Sequence, residues 1–433
     1  MTQIESTVER SSRKYLVAAG LMLLALGVHG LGNGTLNVYI PTIAEALDVP
    51  RSTLTIYDTF ANITAILACL FFSKIYRAVG ARGVVLMAAI GYAGQFICSA
   101  VATSVYIVWF GGIFQGIGNG FASRMILFAV TPYWFEKRPG TVIGLVGAMT
   151  GVTGMFATTV VSALRDTMGY QRGMLIEAAV MLAVGIVATL LVKTSPTDPI
   201  AGKLAKLRGS EAAEKPKSEI GGAQYYKNVF SSPAILMLIV IGFLIGGIIN
   251  GFSRSVNSIG AARDMAEAAA FAYSLHFGCL LLSKVATGAL RDRIKLPIVI
   301  VTLSAFFAAS MLLINYGNAQ VMMLGGIFYG IGATLGQLAT GFIAMDVLGK
   351  YYDSGVVGVV TSGLFLGQAI LIPTFHIPYD LFGTYNLSIT IWLGMIVLML
   401  VLYFIARKMG RSLIARGEAQ GAKTIADIDF KKK

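Results

Sequence analysis

Charge is scarce in this chain. Only 13% of its 433 residues are charged, while 56% are hydrophobic; ordinary soluble domains carry about a quarter charged residues. That shortage excludes a water-soluble fold. Cysteine is scarcer still. Cys69, Cys98 and Cys279 all fall in apolar runs, with neither the pairing of a disulfide framework nor metal-ligand spacing, and read as small hydrophobes. The sequence has no GxxxxGK[ST] loop, which argues against an ATP-driven pump, and no HExxH or other metal-ligand cluster. It offers no nucleophile–base constellation, so no enzyme and no cofactor is indicated. A secretory signal is absent too: MTQIESTVERSSRK is polar, and the run after it is too long for a signal core. The first run is expected to be retained as a span.

What the chain does have is long apolar runs. A helix crossing a hydrocarbon core of ~30 Å needs about 20 apolar residues. Twelve runs meet that rule, at 15–40, 54–75, 83–103, 105–132, 140–163, 173–193, 233–258, 268–289, 296–316, 319–346, 355–375 and 386–406. They are long and do not alternate, so they imply helices rather than a barrel. The expected fold class is an all-α, multi-pass protein of the cell membrane with twelve transmembrane helices. The basic residues orient it. Of 34 lysines and arginines, 27 fall on the side that would hold both termini, four on the other (Arg51, Arg165, Arg172, Arg263), and three inside spans. The positive-inside rule puts both termini in the cytoplasm. The net charge of +13 is then mostly topology, and nucleic acid is not an expected partner.

The chain repeats itself. GGIFQGIGNG (Gly111–Gly120) returns as GGIFYGIGAT (Gly325–Thr334), 214 residues later. The same offset carries Gly144 to Gly358, Asp166 to Asp380 and Gly169 to Gly383. Several matches at one period imply tandem duplication of a six-helix unit. The expected organisation is a first bundle at 1–193, a linker at 194–228, a second bundle at 229–406 and a basic tail at 407–433. The linker is polar and rich in Gly, Ser and Pro, and reads as flexible. Parallel repeats imply a pseudo-symmetry axis along the membrane normal and a site near the midplane.

Two loops add a second signal. GALRDRIK (Gly288–Lys295) follows span 8, and SKIYRAVGAR (Ser73–Arg82) follows span 2. In the better copy, Gly288 permits close helix approach. Asp292 is placed to accept from a helix N-terminus and Arg293 to meet a carboxylate, a candidate conformational latch. The first copy has Arg77 where the acid belongs. With the duplication, the linker and the glycine-rich spans 4 and 10, this motif makes the chain resemble the major facilitator superfamily over essentially its whole length. The resemblance implies two six-helix bundles rocking about a central cavity. Within that superfamily, YWFEKRPGTVIGLVGAMTG (Tyr133–Gly151) resembles the corresponding segment of oxalate:formate antiporters and monocarboxylate transporters.

Inside the spans, a few polar residues carry the functional reading. Arg124, in FASRMILFAV, lies about ten residues from the cytoplasmic end of span 4, or roughly 15 Å at 1.5 Å per residue. A charge that deep costs about 2.5–3.5 kcal/mol on insertion scales, so it must face water or a partner. Its planar fork matches a carboxylate, and a structural ion pair is the alternative. Lys284, four residues before Gly288, stands where the resembled carboxylate transporters hold a substrate-binding cation, usually arginine. Tyr273 and Phe277, eleven and seven residues earlier, share its face and would shape the pocket. The oxalate exchanger's second cation corresponds to Leu364 here, which argues against oxalate itself. Two polar stripes complete the set: His29, Asn33 and Asn37 in span 1, and Asn250, Arg254 and Asn257 in span 7. Their spacing puts each stripe on one helical face, lining a cavity or bonding a neighbouring helix. His276 and Asp58 are candidates for proton coupling, with His29 a further one. Asp346 reads as an acid at a span boundary.

The expected function is secondary transport of a small organic anion, a mono- or dicarboxylate, by alternating access, with a proton or a counter-anion as the coupled species. The substrate set is Arg124, Lys284, His29, Asn33, Asn37, Asn250, Arg254, Tyr273 and Phe277. The expected assembly is a monomer in the lipid bilayer. A proton-coupled exporter of amphipathic drugs on the same fold is the alternative. A membrane sensor is disfavoured because the linker and tail are short and low in aromatics.

Overall fold

The computed structural model describes residues 3–54, 56–122, 124–195, 223–422 and 424–430. Most of the expected linker, residues 196–222, lies outside the described residues, and so does the side chain of Arg124. Every regular element among the described residues is helical. The chain divides into two compact units, residues 1–215 and 216–433. Among the described residues ten helices are long and apolar enough to cross a membrane, or eleven when the bent pair Pro139–Gly154 and Thr159–Met168 counts as one span.

The hydropathy count of twelve differs from this at the second run. Tyr57–Leu70 is a helix of only 14 residues. Another helix, Phe72–Ala100, begins directly after Phe71, and it is itself interrupted at Gly80, whose φ of 69° and ψ of −176° are not helical. That φ is reached without strain only where no Cβ is present. Residues 72–79 therefore continue the second run, and residues 81–100 form the third. The new helix start is capped from a distance. Ala81 N donates to Thr194 Oγ1 at 3.0 Å. Arg82 in turn donates to the carbonyls of Val192 (3.0 Å) and Leu190 (3.1 Å), closing the end of helix Tyr170–Leu191.

The first span is not one regular helix. Gln3–Leu23 gives way to a π-helical stretch, Leu24–Gly30, then to the short helix Leu31–Gly34, and after Thr35 to Leu36–Ala46. The local sequence GVHGLGNGT explains the weakness, because glycine is a poor helix former. Thr153 Oγ1 donates to Leu26 O at 2.6 Å, taking up a carbonyl in the widened turn.

The duplicated glycines make equivalent contacts. A Cβ on Gly112 would collide with the carbonyl oxygen of Tyr57, and one on Gly326 with that of Ala272. Four residues on, Gly116 and Gly330 face the carbonyls of Ala61 and His276 in the same way. Glycine is required here because two helix backbones meet with no room for a side chain.

In the second unit the helix Asn386–Ala419 runs thirteen residues past the hydropathy boundary at 406. Leaving an apolar run does not end a helix; the continuing RKMGRSLIARGEA holds good helix formers and no proline. Residues 223–228, given to the linker by composition, belong to helix Ala223–Ser231.

Candidate substrate site

Each unit holds its own polar cluster inside the spans. In the first, the π turn of the opening span carries His29. Its Nδ1 lies 2.7 Å from the hydroxyl of Tyr92, which donates to Asn119 Oδ1 at 2.7 Å. The three side chains form one chain from His29 through Tyr92 to Asn119. Tyr92 is fully buried, with Gly32 and Gly118 packed against its ring. Asn33 and Asn37 are exposed, on either side of the break at Thr35, so the expected stripe does not lie on one continuous helix. Asp58 is half-buried at the start of helix Tyr57–Leu70. Arg124 opens the helix Arg124–Trp134, five residues beyond Asn119.

A second cluster in this unit was passed over in the sequence. Glu177, 4% exposed, accepts from Tyr39 Oη at 2.5 Å and from Thr35 Oγ1 at 2.6 Å. Thr35 is the residue at which the opening span breaks, so Glu177 ties that break to helix Tyr170–Leu191. The signal was available: an acid inside the apolar run 173–193 needs partners.

In the second unit Lys284 is 3% exposed, deep in helix Ala266–Arg291. Next to it in sequence, Ser283 donates to Ile331 O at 3.1 Å and accepts from Thr334 Oγ1 at 2.8 Å. One face of the same helix is an aromatic cluster. His276 stacks on Tyr329 with ring centres 4.4 Å apart and lies 4.2 Å from Phe277, while Phe277 meets Tyr273 edge-on at 5.3 Å. His276 is buried, and its Nδ1 pairs with Tyr273 O at 2.9 Å. The Tyr273 hydroxyl lies 3.4 Å from Ser253 Oγ. The structure thus brings Tyr273, His276 and Phe277 together and adds Tyr329, which falls in the second copy of the glycine repeat. Asn250 is half-buried and donates to Gly246 O at 2.8 Å, whereas Arg254 and Asn257 are exposed.

Of the expected latch residues, Gly288 is buried, Asp292 caps the end of helix Ala266–Arg291 and Arg293 is exposed. A carboxylate–guanidinium pair stands elsewhere in this unit. Arg407 Nε lies 2.6 Å from Asp346 Oδ2, to which Tyr403 also donates at 3.2 Å. Arg291 rests over the ring of Phe342, at 5.9 Å from its centre.

Apolar helices with hydrogen-bonded polar clusters inside them define a multi-pass membrane protein. The chain belongs to the Major Facilitator Superfamily, whose sequence profile matches residues 22–372. Three solved transporters share the fold. The human organic anion transporter MFSD10 (TETRAN) aligns with a TM-score of 0.60 at 16% identity, covering 91% of this chain and 99% of its own. FucP, the E. coli fucose:proton symporter, aligns in its outward conformation at 0.68 and 12% identity, covering 91% and 98%. The proton:xylose symporter XylE aligns at 0.66 and 14% identity, covering 92% and 96%. At such identities the likeness establishes the fold. No curated protein matches the sequence significantly. Family and fold together make this chain a membrane transporter and not an enzyme.

Proposed function

We propose that the chain carries a small organic anion, a mono- or dicarboxylate, across the cell membrane by alternating access, as a proton symporter or an anion exchanger. Lys284 carries this reading. It is a cation 3% exposed within a span, and charges held inside spans mark substrate and ion pathways. Arg124 of the first unit is the partner cation, with a fork suited to a carboxylate. Tyr273 and Phe277 shape the pocket, and His29, Asn33, Asn37, Asn250 and Arg254 add polar contacts. His276 and Asp58 are the proton-coupling candidates, and Gly288, Asp292 and Arg293 the latch. The nature of MFSD10, an organic anion transporter, is consistent with this cargo.

The same proposal includes twelve spans, with residues 57–79 read as one span interrupted at Phe71, both termini cytoplasmic, a monomeric state, and two bundles at 1–193 and 229–406. The deciding experiment is carboxylate uptake into proteoliposomes. Arg124→Ala and Lys284→Ala should each lower the rate at least tenfold, and wild-type rates in both would overturn the anion site. A thermal-shift panel of carboxylic acids and amphipathic drugs separates this cargo from drug export: acids should stabilise the wild type, and stabilisation by drugs alone would reverse the assignment.

A further inference from the structure

The second unit holds a cavity at the start of helix Pro233–Ala261, none of whose lining residues is among the proposed substrate contacts. It measures about 240 Å³ and is lined by the first residues of helix Pro233–Ala261 and by the extended part of helix Asn386–Ala419. Ser232 is the N-cap of the first of these helices, yet its hydroxyl makes no capping bond. Ser232 lines the cavity, and its hydroxyl is fully buried with no hydrogen-bond partner among the described residues. A buried hydroxyl without a partner is costly, so such groups mark places where a partner is missing. Ala234, also in the wall, occupies the second helical position, where a backbone N–H has no intrahelical acceptor. Arg416 lines the cavity from the other helix, and no acidic residue is among the lining residues.

Pro233, Met409, Leu413 and Phe430 give the remaining walls an apolar part, and Ser412 a polar one. Phe430 belongs to the segment after the last long helix, and that segment is folded in place. Gln420 and Asp429 exchange two hydrogen bonds, of 3.0 and 2.7 Å. Asn228 donates to the carbonyls of Ile425 (3.2 Å) and Ile428 (2.9 Å), both of whose side chains are buried. The basic tail read from composition is thus, in its described part, a clasp that completes one wall of the cavity.

We propose that this cavity binds a phosphate oxyanion, carried by a phospholipid headgroup or free in solution. A helix N-terminus supplies the field and the backbone donor, Ser232 Oγ a hydroxyl donor, and Arg416 the counter-charge. Two donors at one helix start, faced by a cation from a second helix, suit an oxyanion such as the two unesterified oxygens of a phosphate diester. The apolar walls accommodate the uncharged remainder of an ester.

The test uses the full-length protein in neutral detergent, with melting followed by tryptophan fluorescence. The probes are phosphatidylglycerol, with diacylglycerol as the comparison that lacks the phosphate, and separately inorganic phosphate. Phosphatidylglycerol or phosphate should raise the wild-type melting temperature by about 3 °C at saturating excess. The shift should fall to less than a third in Ser232→Ala and in Arg416→Gln. It should persist in Arg411→Gln, whose exposed side chain on the same helix does not line the cavity. Ser232→Ala removes only an unbonded hydroxyl, so loss of the fold does not confuse the result. A shift from phosphatidylglycerol alone assigns the lipid source, and one from phosphate alone the soluble source. No shift from either probe, or a shift that survives either variant, overturns the proposal.

Discussion

Tyr39 donates its phenolic hydrogen to Glu177 across 138 residues of sequence, at 2.5 Å. With Thr35 on the other oxygen, this fixes the break in the first span against helix Tyr170–Leu191. Tyr39→Phe removes one of the two donors and should cost about 1–3 kcal/mol, read as a lower melting temperature. Glu177→Gln keeps an acceptor for Tyr39 and gains a donor for Thr35, so it should cost less than Glu177→Leu. Equal losses in these two variants would show that packing, and not the bonds, holds the break.

The chain His29–Tyr92–Asn119 makes a different prediction. Tyr92→Phe keeps the buried ring against Gly32 and Gly118 but removes the hydroxyl between the other two. We expect several-fold slower uptake at unchanged protein yield. Unchanged uptake would relieve His29 of any part in transport.

The repeated glycines should be intolerant of size. Gly112→Val and Gly326→Val each press a side chain into a backbone carbonyl, of Tyr57 and Ala272 respectively. Overpacking of this kind costs about 1–3 kcal/mol, and more where backbone must move. Both variants should lose melting temperature, while Gly278→Val, with open space around it, should stay near wild type.

Against helix Ala223–Ser231, burial raises the carboxyl of Asp353 above its ordinary value, opposed by the Tyr225 hydroxyl and the N–H groups of Val356 and Gly355. The folded chain therefore holds that proton more tightly than the unfolded chain. The contribution is fully present below the ordinary aspartate value of about 3.9 and is lost as pH rises through the higher folded value. Tyr225→Phe strips a donor from the charged form above all, so its melting-temperature deficit should be larger at pH 8 than at pH 5. A deficit independent of pH would place the cost in packing.

Much of the architecture was legible in the residues. Long apolar runs report membrane spans because an exposed backbone cannot be satisfied in lipid. The 214-residue period reports a repeated unit, since each glycine must serve the same helix contact twice. Lys284 was legible as a cation within a span through its place four residues before Gly288, and only the structure shows it buried.

Other features needed the folded chain. The sequence by itself determined that this protein is built of apolar helices in two related units, because hydropathy and period are properties of neighbours along the chain. Only the tertiary structure decided that Phe71 and Gly80 divide the second and third runs, that His29 answers to Tyr92, and that Asn228 grips the end of the chain. Those outcomes depend on which polar groups, far apart in sequence, come within about 3 Å of one another. Burial then makes each pairing obligatory, and burial is a property of the whole fold.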